Sequence, residues 1–354
     1  MWRDLKYLGA YSIPLATAHA LYAQGFWSFN GLLVAFVMVP LLELFFKGNT
    51  DNLDAEEEKN QNHKWLFDWI LYLNVPMLVG IIIGYFYVLS TASLELYEQI
   101  GLTLTTGIYI GGVGINVAHE LGHRQEWFPR LLAQILLLPN LYLHFSIEHN
   151  HGHHVNIATP KDPASSRYNE PIYTFWFRSV IFSYLSAWSI EARRLRQQGH
   201  SPFSWRNRMI YLQLIQVAYV VGLCLTFSWA LLPFIIIVAI LGFLMLETVN
   251  YIEHYGLQRR QLASGRYEPV QPWHSWNCNH DIGRILLYEL TRHSDHHYKA
   301  SRKYQVLRHF EEAPQLPWGY PMSMLIALIP PLWFRLMNPR VDQFNQRLAQ
   351  HTAE

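Results

Sequence analysis

The chain has 354 residues, room for one large domain or two smaller ones. Only 15% are charged and 51% are hydrophobic, against roughly 25% charge in a soluble domain, which points away from a water-soluble globule. A net charge of +1 leaves no basic excess for nucleic acid; Cys224 and Cys278 are too few for a disulfide framework, a cysteine-rich zinc site or a CxxC pair, so any metal must be held through nitrogen and oxygen.

Six stretches are long and apolar enough to cross a bilayer, which takes about 20 residues. They lie near 7–25, 28–46, 66–90, 96–121, 207–228 and 230–252 and pair through turns at "FWSFN", "STASLELYE" and "FSWAL". None of these turns holds a lysine or arginine. All 27 basic residues lie in the N-terminus, in 47–64, in 124–208 or after 258. The positive-inside rule then puts both termini and the long loops in the cytoplasm, as expected for a multi-pass membrane protein. The first stretch reads as an anchor, because another apolar stretch follows at once. The expected fold is all-α: three transmembrane hairpins and a cytoplasmic histidine-rich cap (122–206 and 253–354), all one domain over 1–354.

Between the spans, "NTDNLDAEEEKNQNHK" (49–64) reads as a solvated connector. "WFPRLLAQILLLPNLYLHFSI" (127–147) is long enough to cross, but it carries Arg130, Pro139, Asn140 and His144 and reads as a buried or interfacial segment. "MSMLIALIPPLWF" (322–334) is too short to span. Gly107 and Gly111 form a GxxxG whose expected role is close helix packing.

Histidine is the unusual residue, with 18 copies. Ten of them fall in four clusters at or beyond cytoplasmic helix ends, and nine of these are the candidate ligands: "NVAHELGHR" with His119 and His123, "EHNHGHH" with His149, His153 and His154 beside His151, "NYIEHYG" with His254, and "TRHSDHH" with His293, His296 and His297. An i,i+4 pair such as His119 and His123 shares one helix face, about 5–6 Å apart at Cβ. Glu247, Asn250 and His254 share a face, and Asn116 stands one turn before His119. Polar groups this close to hydrocarbon need partners and mark function.

Nine imidazoles suit two ions better than one, and imidazole-rich five- or six-coordinate sites suit iron, whereas zinc is satisfied by three or four ligands. Glu120, Glu148, Asp162, Glu253 and Asp295, with Glu247, Asn250 and Asn116, are candidates to orient the imidazoles or to bind metal directly. The other histidines, His19, His63, His144, His151, His200, His274, His280, His309 and His351, read as ordinary polar residues. "HELGH" is also an HExxH motif, so an intramembrane zinc protease is a competing reading; it leaves seven clustered histidines idle. A metal transporter would need ligands along a transmembrane path.

The boxes resemble the membrane di-iron desaturases and hydroxylases. Within that superfamily, "HELGHR", "EHNHGHHVNIATPKDPASSR", "NYIEHYGLQR" and "RHSDHHYKASRKYQVL" resemble the alkane 1-monooxygenase family, with "NYIEHYG" the most discriminating because acyl desaturases lack it. The resemblance implies hydroxylation of the terminal methyl of medium-chain n-alkanes with O2 at two non-haem iron ions. It carries the ligand role to the nine boxed histidines and makes Asp162, in "TPKDP", the leading supporting acid. It implies electrons from rubredoxin, a separate chain reduced by a flavin-dependent reductase. Arg193, Arg194, Arg196, Arg259, Arg260, Arg302 and Lys303 read as positive-inside residues, with steering of an acidic donor as the sharper alternative. Xylene-type aryl-methyl oxidation and acyl desaturation are the neighbouring chemistries.

Overall fold

Long apolar runs satisfy their backbone polar groups in lipid only as helices or closed barrels, and this chain takes the first solution. The computed structural model describes residues 4–46 and 48–351. The chain ends, 1–3 and 352–354, expected in the cytoplasm, lie outside the described residues. There, helices alternate with turns, and β-pairing is limited to isolated bridges at Gln261–Tyr267 and Asn277–Gln315.

Five helices are long and apolar enough to cross a membrane. A 3-10 segment, Leu5–Tyr11, leads into helix α1 (Ser12–Ala23), and a sharp turn at Gln24 and Gly25 opens α2 (Gly25–Phe45). The predicted turn "FWSFN" therefore belongs to the first coil of α2. After the short helix α3 (Ala55–Asn62) come α4 (Trp65–Thr91) and α5 (Leu96–Gly122). Helix α6 (Trp127–Leu137) is followed by a helical stretch α7 (residues 145–156) and the long helix α8 (Ile172–Gln197). The last two long apolar helices are α9 (Arg208–Thr226) and α10 (Trp229–His254). Helices α11 (His293–Tyr298), α12 (Tyr320–Ala327) and α13 (Pro330–His351) complete the fold.

The predicted stretch 7–25 is not among the five. Only Ser12–Ala23 within it is α-helical, and His19 with Tyr7, Tyr11 and Tyr22 dilutes its apolarity. The other five predicted spans agree with α2, α4, α5, α9 and α10 to within a few residues. Leu41, Leu44, Ile83, Val217, Leu225 and Ile237 on these helices are exposed, the outward apolar face that lipid covers. The chain is a membrane protein.

The segment 127–147 is not one continuous helix. Helix α6 stops at Leu137, a 3-10 turn through Pro139 follows, and Leu141 adopts a left-handed conformation. The connector 49–64 is more ordered than a solvated loop. Asp54 accepts from the backbone N–H of Glu56 and Glu57 and forms a capping box with Glu57, nucleating α3. Arg308 pairs with Glu58, and Asn52 donates to the His309 carbonyl, so α3 is clamped to the C-terminal region.

Helices α5 and α10 cross closely and form the spine of the site. A Cβ at Gly111 would lie 2.5 Å from the Gly242 carbonyl oxygen, and one at Gly107 would lie 2.6 Å from Leu241, which accounts for the GxxxG by packing. Gly111→Ala is expected to cost about 1–3 kcal/mol through forced separation of the helices. A lowered melting midpoint of the detergent-solubilised protein checks this; an unchanged midpoint refutes the close approach. On the far side of α10, Tyr251 and Tyr255 pack with Trp333 and Met337 of α13 in a second apolar core, which fixes the end of α10 that bears His254.

Candidate metal centre

Each histidine box ends up on an element that is locked elsewhere. His119 closes the buried end of α5 and His123 caps it. His149 and His153 lie in a π-helical turn, His149–His153, within α7. The wider turn is where the sorting occurs. Gly152 allows it, because a Cβ there would lie 2.2 Å from a Glu148 carboxylate oxygen. His254 is the last residue of α10, and α11 carries His293, His296 and His297.

The nine rings meet in two groups. His119, His123, His149, His154 and His296 each offer a nitrogen within 4.8 Å of the others; His153, His254, His293 and His297 do the same. The boxes interleave: the second gives His149 and His154 to one group and His153 to the other, while the fourth gives His296 to the first and His293 and His297 to the second. The i,i+4 pair His149 and His153 is thus divided, its rings stacked 5.2 Å apart between the groups. His144, His151 and His274 fall outside both groups, and the His274 ring faces Glu268 at 3.2 Å.

The spacing fits metal ligation. Nε2 atoms lie 3.2 Å apart for His123 and His149, 3.0 Å for His149 and His154, and 3.1 Å for His154 and His296. In the second group the separations are 3.3 Å for His254 and His293 and 2.8 Å for His293 and His297. Two ligands at about 2.1 Å from an ion are about 3.0 Å apart at a right angle and about 3.4 Å apart at a tetrahedral one, so the set matches five- or six-coordination better than a zinc tetrahedron. The buried Nε2 atoms of His119 and His153 have no hydrogen-bond partner, as lone pairs awaiting an ion would. Burial, reinforced by neighbouring imidazoles, holds His149, His154, His293, His296 and His297 well below the ordinary imidazole range, and burial brings His123 to about 3. Neutral rings keep a lone pair for metal.

His153 differs. Burial lowers its pKa, but the Asp162 carboxylate outweighs burial and raises it. Asp162 Oδ2 lies 2.8 Å from His153 Nδ1 and accepts from Ser165 Oγ at 2.5 Å, and Oδ1 accepts from the Ala164 N–H at 3.0 Å. Arg178 anchors this loop by pairing with Glu170 and donating to the carbonyls of Pro163 and Ser165.

Of the other candidate acids, Glu253 alone reaches an imidazole. Its Oε2 is 3.2 Å from His293 Nε2, on the side where the nitrogens converge, and Tyr320 donates to its Oε1 at 2.7 Å. Glu120 instead accepts from Arg124 and the Tyr304 N–H; Asp295 accepts from Arg302 and the Arg308 N–H. Glu148 accepts from Ser186, Glu247 from Tyr142 and Ser179 as well as Asn250, and Asn116 donates to the Leu287 carbonyl. These groups brace the helices that carry the boxes. Tyr320 and Ser165 are supporting residues that the motifs do not flag, although the Asp162–Ala164 turn is signalled by "DPAS".

A narrow cavity of about 90 Å³ leads to the rings. Ile108, Gly111, Met245 and Val249 are among its mostly apolar walls, and His119, His149 and His293 stand at one end with Asn116, Asn250 and Glu253 nearby.

Helical spans ending in histidine boxes around two convergent nitrogen groups define a membrane oxidoreductase of the desaturase and hydroxylase class. The family model described as fatty acid desaturase matches residues 99–325. The chain is 40% identical over 320 residues to the alkane 1-monooxygenase of Pseudomonas putida, covering 90% of this chain and 79% of that protein. It is 37% identical to alkane 1-monooxygenase 2 of Pseudomonas aeruginosa, over 90% of this chain and 85% of the relative. The xylene/toluene monooxygenase hydroxylase component of Pseudomonas putida is 30% identical over 96% of this chain and 90% of its own length. The chain belongs to the alkane 1-monooxygenase family, and it is a monooxygenase with iron-binding histidine clusters.

Proposed function

We propose that this protein hydroxylates the terminal methyl group of medium-chain n-alkanes to 1-alkanols, using O2 and two electrons delivered by rubredoxin and its flavin-dependent reductase. The observation that carries the reading is an apolar cavity ending on two interleaved groups of convergent imidazoles. His119, His123, His149, His154 and His296 would hold one non-haem iron ion, and His153, His254, His293 and His297 the other. When bound, the pair supplies activation of O2 and oxidation of a C–H bond. Asp162 holds the His153 ring at Nδ1, and Tyr320 holds Glu253 against the second group.

An alkane offers no polar handle, so the walls formed by Ile108, Val249 and Met245 must orient it by shape and exclude water. One methylene is worth about 1–3 kcal/mol, so chain-length preference is graded. Aryl-methyl oxidation ranks second because the chain is 30% identical to the xylene/toluene component but 36–40% identical to several alkane 1-monooxygenases. The protease reading loses ground because Glu120, its required base, faces Arg124 and Tyr304.

The whole chain, 1–354, acts as one catalytic domain in the bacterial inner membrane, with both termini cytoplasmic. A sixth crossing by Leu5–Ala23 supports that orientation. At one end Lys6 and Tyr7 donate to Glu289, beside α11, at 2.8 and 2.7 Å; at the other the Gly25 N–H donates to Glu98 at 2.6 Å. Glu98 stands 21 residues before His119 on α5 (119 − 98), about 31 Å along a helix and comparable to the hydrocarbon thickness.

The test is metal analysis of purified protein beside an assay with rubredoxin, reductase and NADH. About two irons per chain and 1-octanol from octane are expected. Turnover of xylene with no 1-octanol would overturn the substrate assignment, and one zinc per chain would overturn the chemistry.

A further inference from the structure

A second cavity, of about 460 Å³, reaches the same rings from another direction. It shares only His119, Phe145 and His149 with the narrow apolar cavity. Phe145 stacks on His149 with ring centroids 4.6 Å apart, so it stands as a partition between the two spaces. The outer end lies between α6 and the start of α9, where Trp127 is 75% and Tyr211 44% exposed and Arg130 and Arg208 flank them. Exposed Trp and Tyr beside arginine mark a membrane–water boundary.

Its lining differs in chemistry as well as position. The Gln134 amide donates to Ser146 Oγ at 2.9 Å, and Ser146 Oγ donates onward to the Leu143 carbonyl. The Asn150 amide donates to the carbonyls of Gly122 and Ser146, both at 3.2 Å. The two carbonyls fix the Asn150 amide, since a flip would set oxygen against oxygen, and the Gln134 amide donates because the Ser146 hydroxyl gives its own proton to the Leu143 carbonyl. Gln134 Oε1 and Asn150 Oδ1 are left buried with nothing to accept. A buried acceptor without a donor is costly, and both belong to residues that line the cavity, so a ligand whose O–H or N–H reaches them is favoured there. An n-alkane has none; a 1-alkanol has one, and backing out through the apolar cavity would strand its hydroxyl.

We propose that this second cavity binds the 1-alkanol product through Gln134 and Asn150 and releases it at the membrane boundary, so substrate and product use separate routes divided by Phe145. The inference rests on the alkane-hydroxylation reading above.

Three variants of the full-length, iron-loaded protein test it. Gln134→Leu should weaken inhibition by added 1-octanol about fivefold and leave the KM for octane unchanged. Leu131→Trp and Ile215→Trp narrow the rim at positions 47% and 45% exposed, where the added bulk is tolerated. Both should leave the first turnover in rapid-quench experiments unchanged, slow steady-state turnover about fivefold, and leave 1-octanol bound. Unchanged 1-octanol inhibition in Gln134→Leu overturns the proposal. So does a slower first turnover with raised KM in the rim variants, which would make this cavity the inlet. A changed ratio of O2 consumed to 1-octanol formed, with inhibition unaltered, would assign the acceptors to water instead. Failure of the unaltered protein to oxidise any alkane would sink the parent reading; normal oxidation with three silent variants would sink this one alone.

Discussion

His254→Ala is expected to abolish the proposed alkane turnover, a loss of at least a thousandfold, or roughly 4 kcal/mol of barrier. The ring is wholly buried at the last turn of α10, with its Nε2 3.3 Å from His293 Nε2. It is one of only four nitrogens in its group, so its removal leaves three. The five-membered group loses no ring. Iron is therefore expected to fall from about two per chain toward one, while circular dichroism and gel filtration still report a folded helical protein. The comparison variant is His144→Ala. His144 is also buried and lies five residues before His149, yet it is outside both groups and packs against Tyr142 and Tyr184. It should keep turnover within a few-fold and both irons. Near-normal 1-octanol formation by His254→Ala would remove that residue from the ligand set.

Asp162→Asn is expected to lower activity and iron retention by about 10–100-fold. Asp162 is buried and accepts from three groups, one of them the His153 ring. Burial alone would raise its pKa, but His153 and Ser165 draw it below the ordinary carboxylate range, so it is ionised at neutral pH. Asparagine keeps the shape and removes the charge that fixes which nitrogen of His153 carries the proton. The ring is then unconstrained in tautomer, and its Nε2 no longer reliably faces the second group. Iron measured after dialysis against a weak chelator, together with the rate of 1-octanol formation, checks both effects. Full iron retention with full activity would show that His153 needs no orienting acid.

Much of the site was legible because histidine spacing is a local property. His119 with His123 and His293 with His297 each share a helix face and a group, as four-residue spacing dictates. The same rule misassigns His149 and His153. Their separation depends on a π-helical turn, which an i,i+4 reading cannot anticipate. Acids beside the boxes were harder still. Glu120 and Glu148 adjoin histidines in the sequence, but a neighbour on a helix points about 100° away, and each carboxylate met a partner from another element. Asp162, nine residues from His153, reaches it through a loop. The long apolar helices were plain from composition, but the same reading counted 7–25 among them, although Tyr7 at its start joins the charged cluster around Glu289. The helix α3 was written in "DAEE", a capping signature easily passed over inside a run of charges.

The divided second box has a bearing on how such a chain can vary. Deleting or inserting one residue between His149 and His154 would turn the rings that follow in that box by about 100° and move them between the two nitrogen groups. Length drift therefore has to be absorbed in the stretches that join one box to the next, and a histidine cadence kept to the letter is a mechanical requirement of the fold.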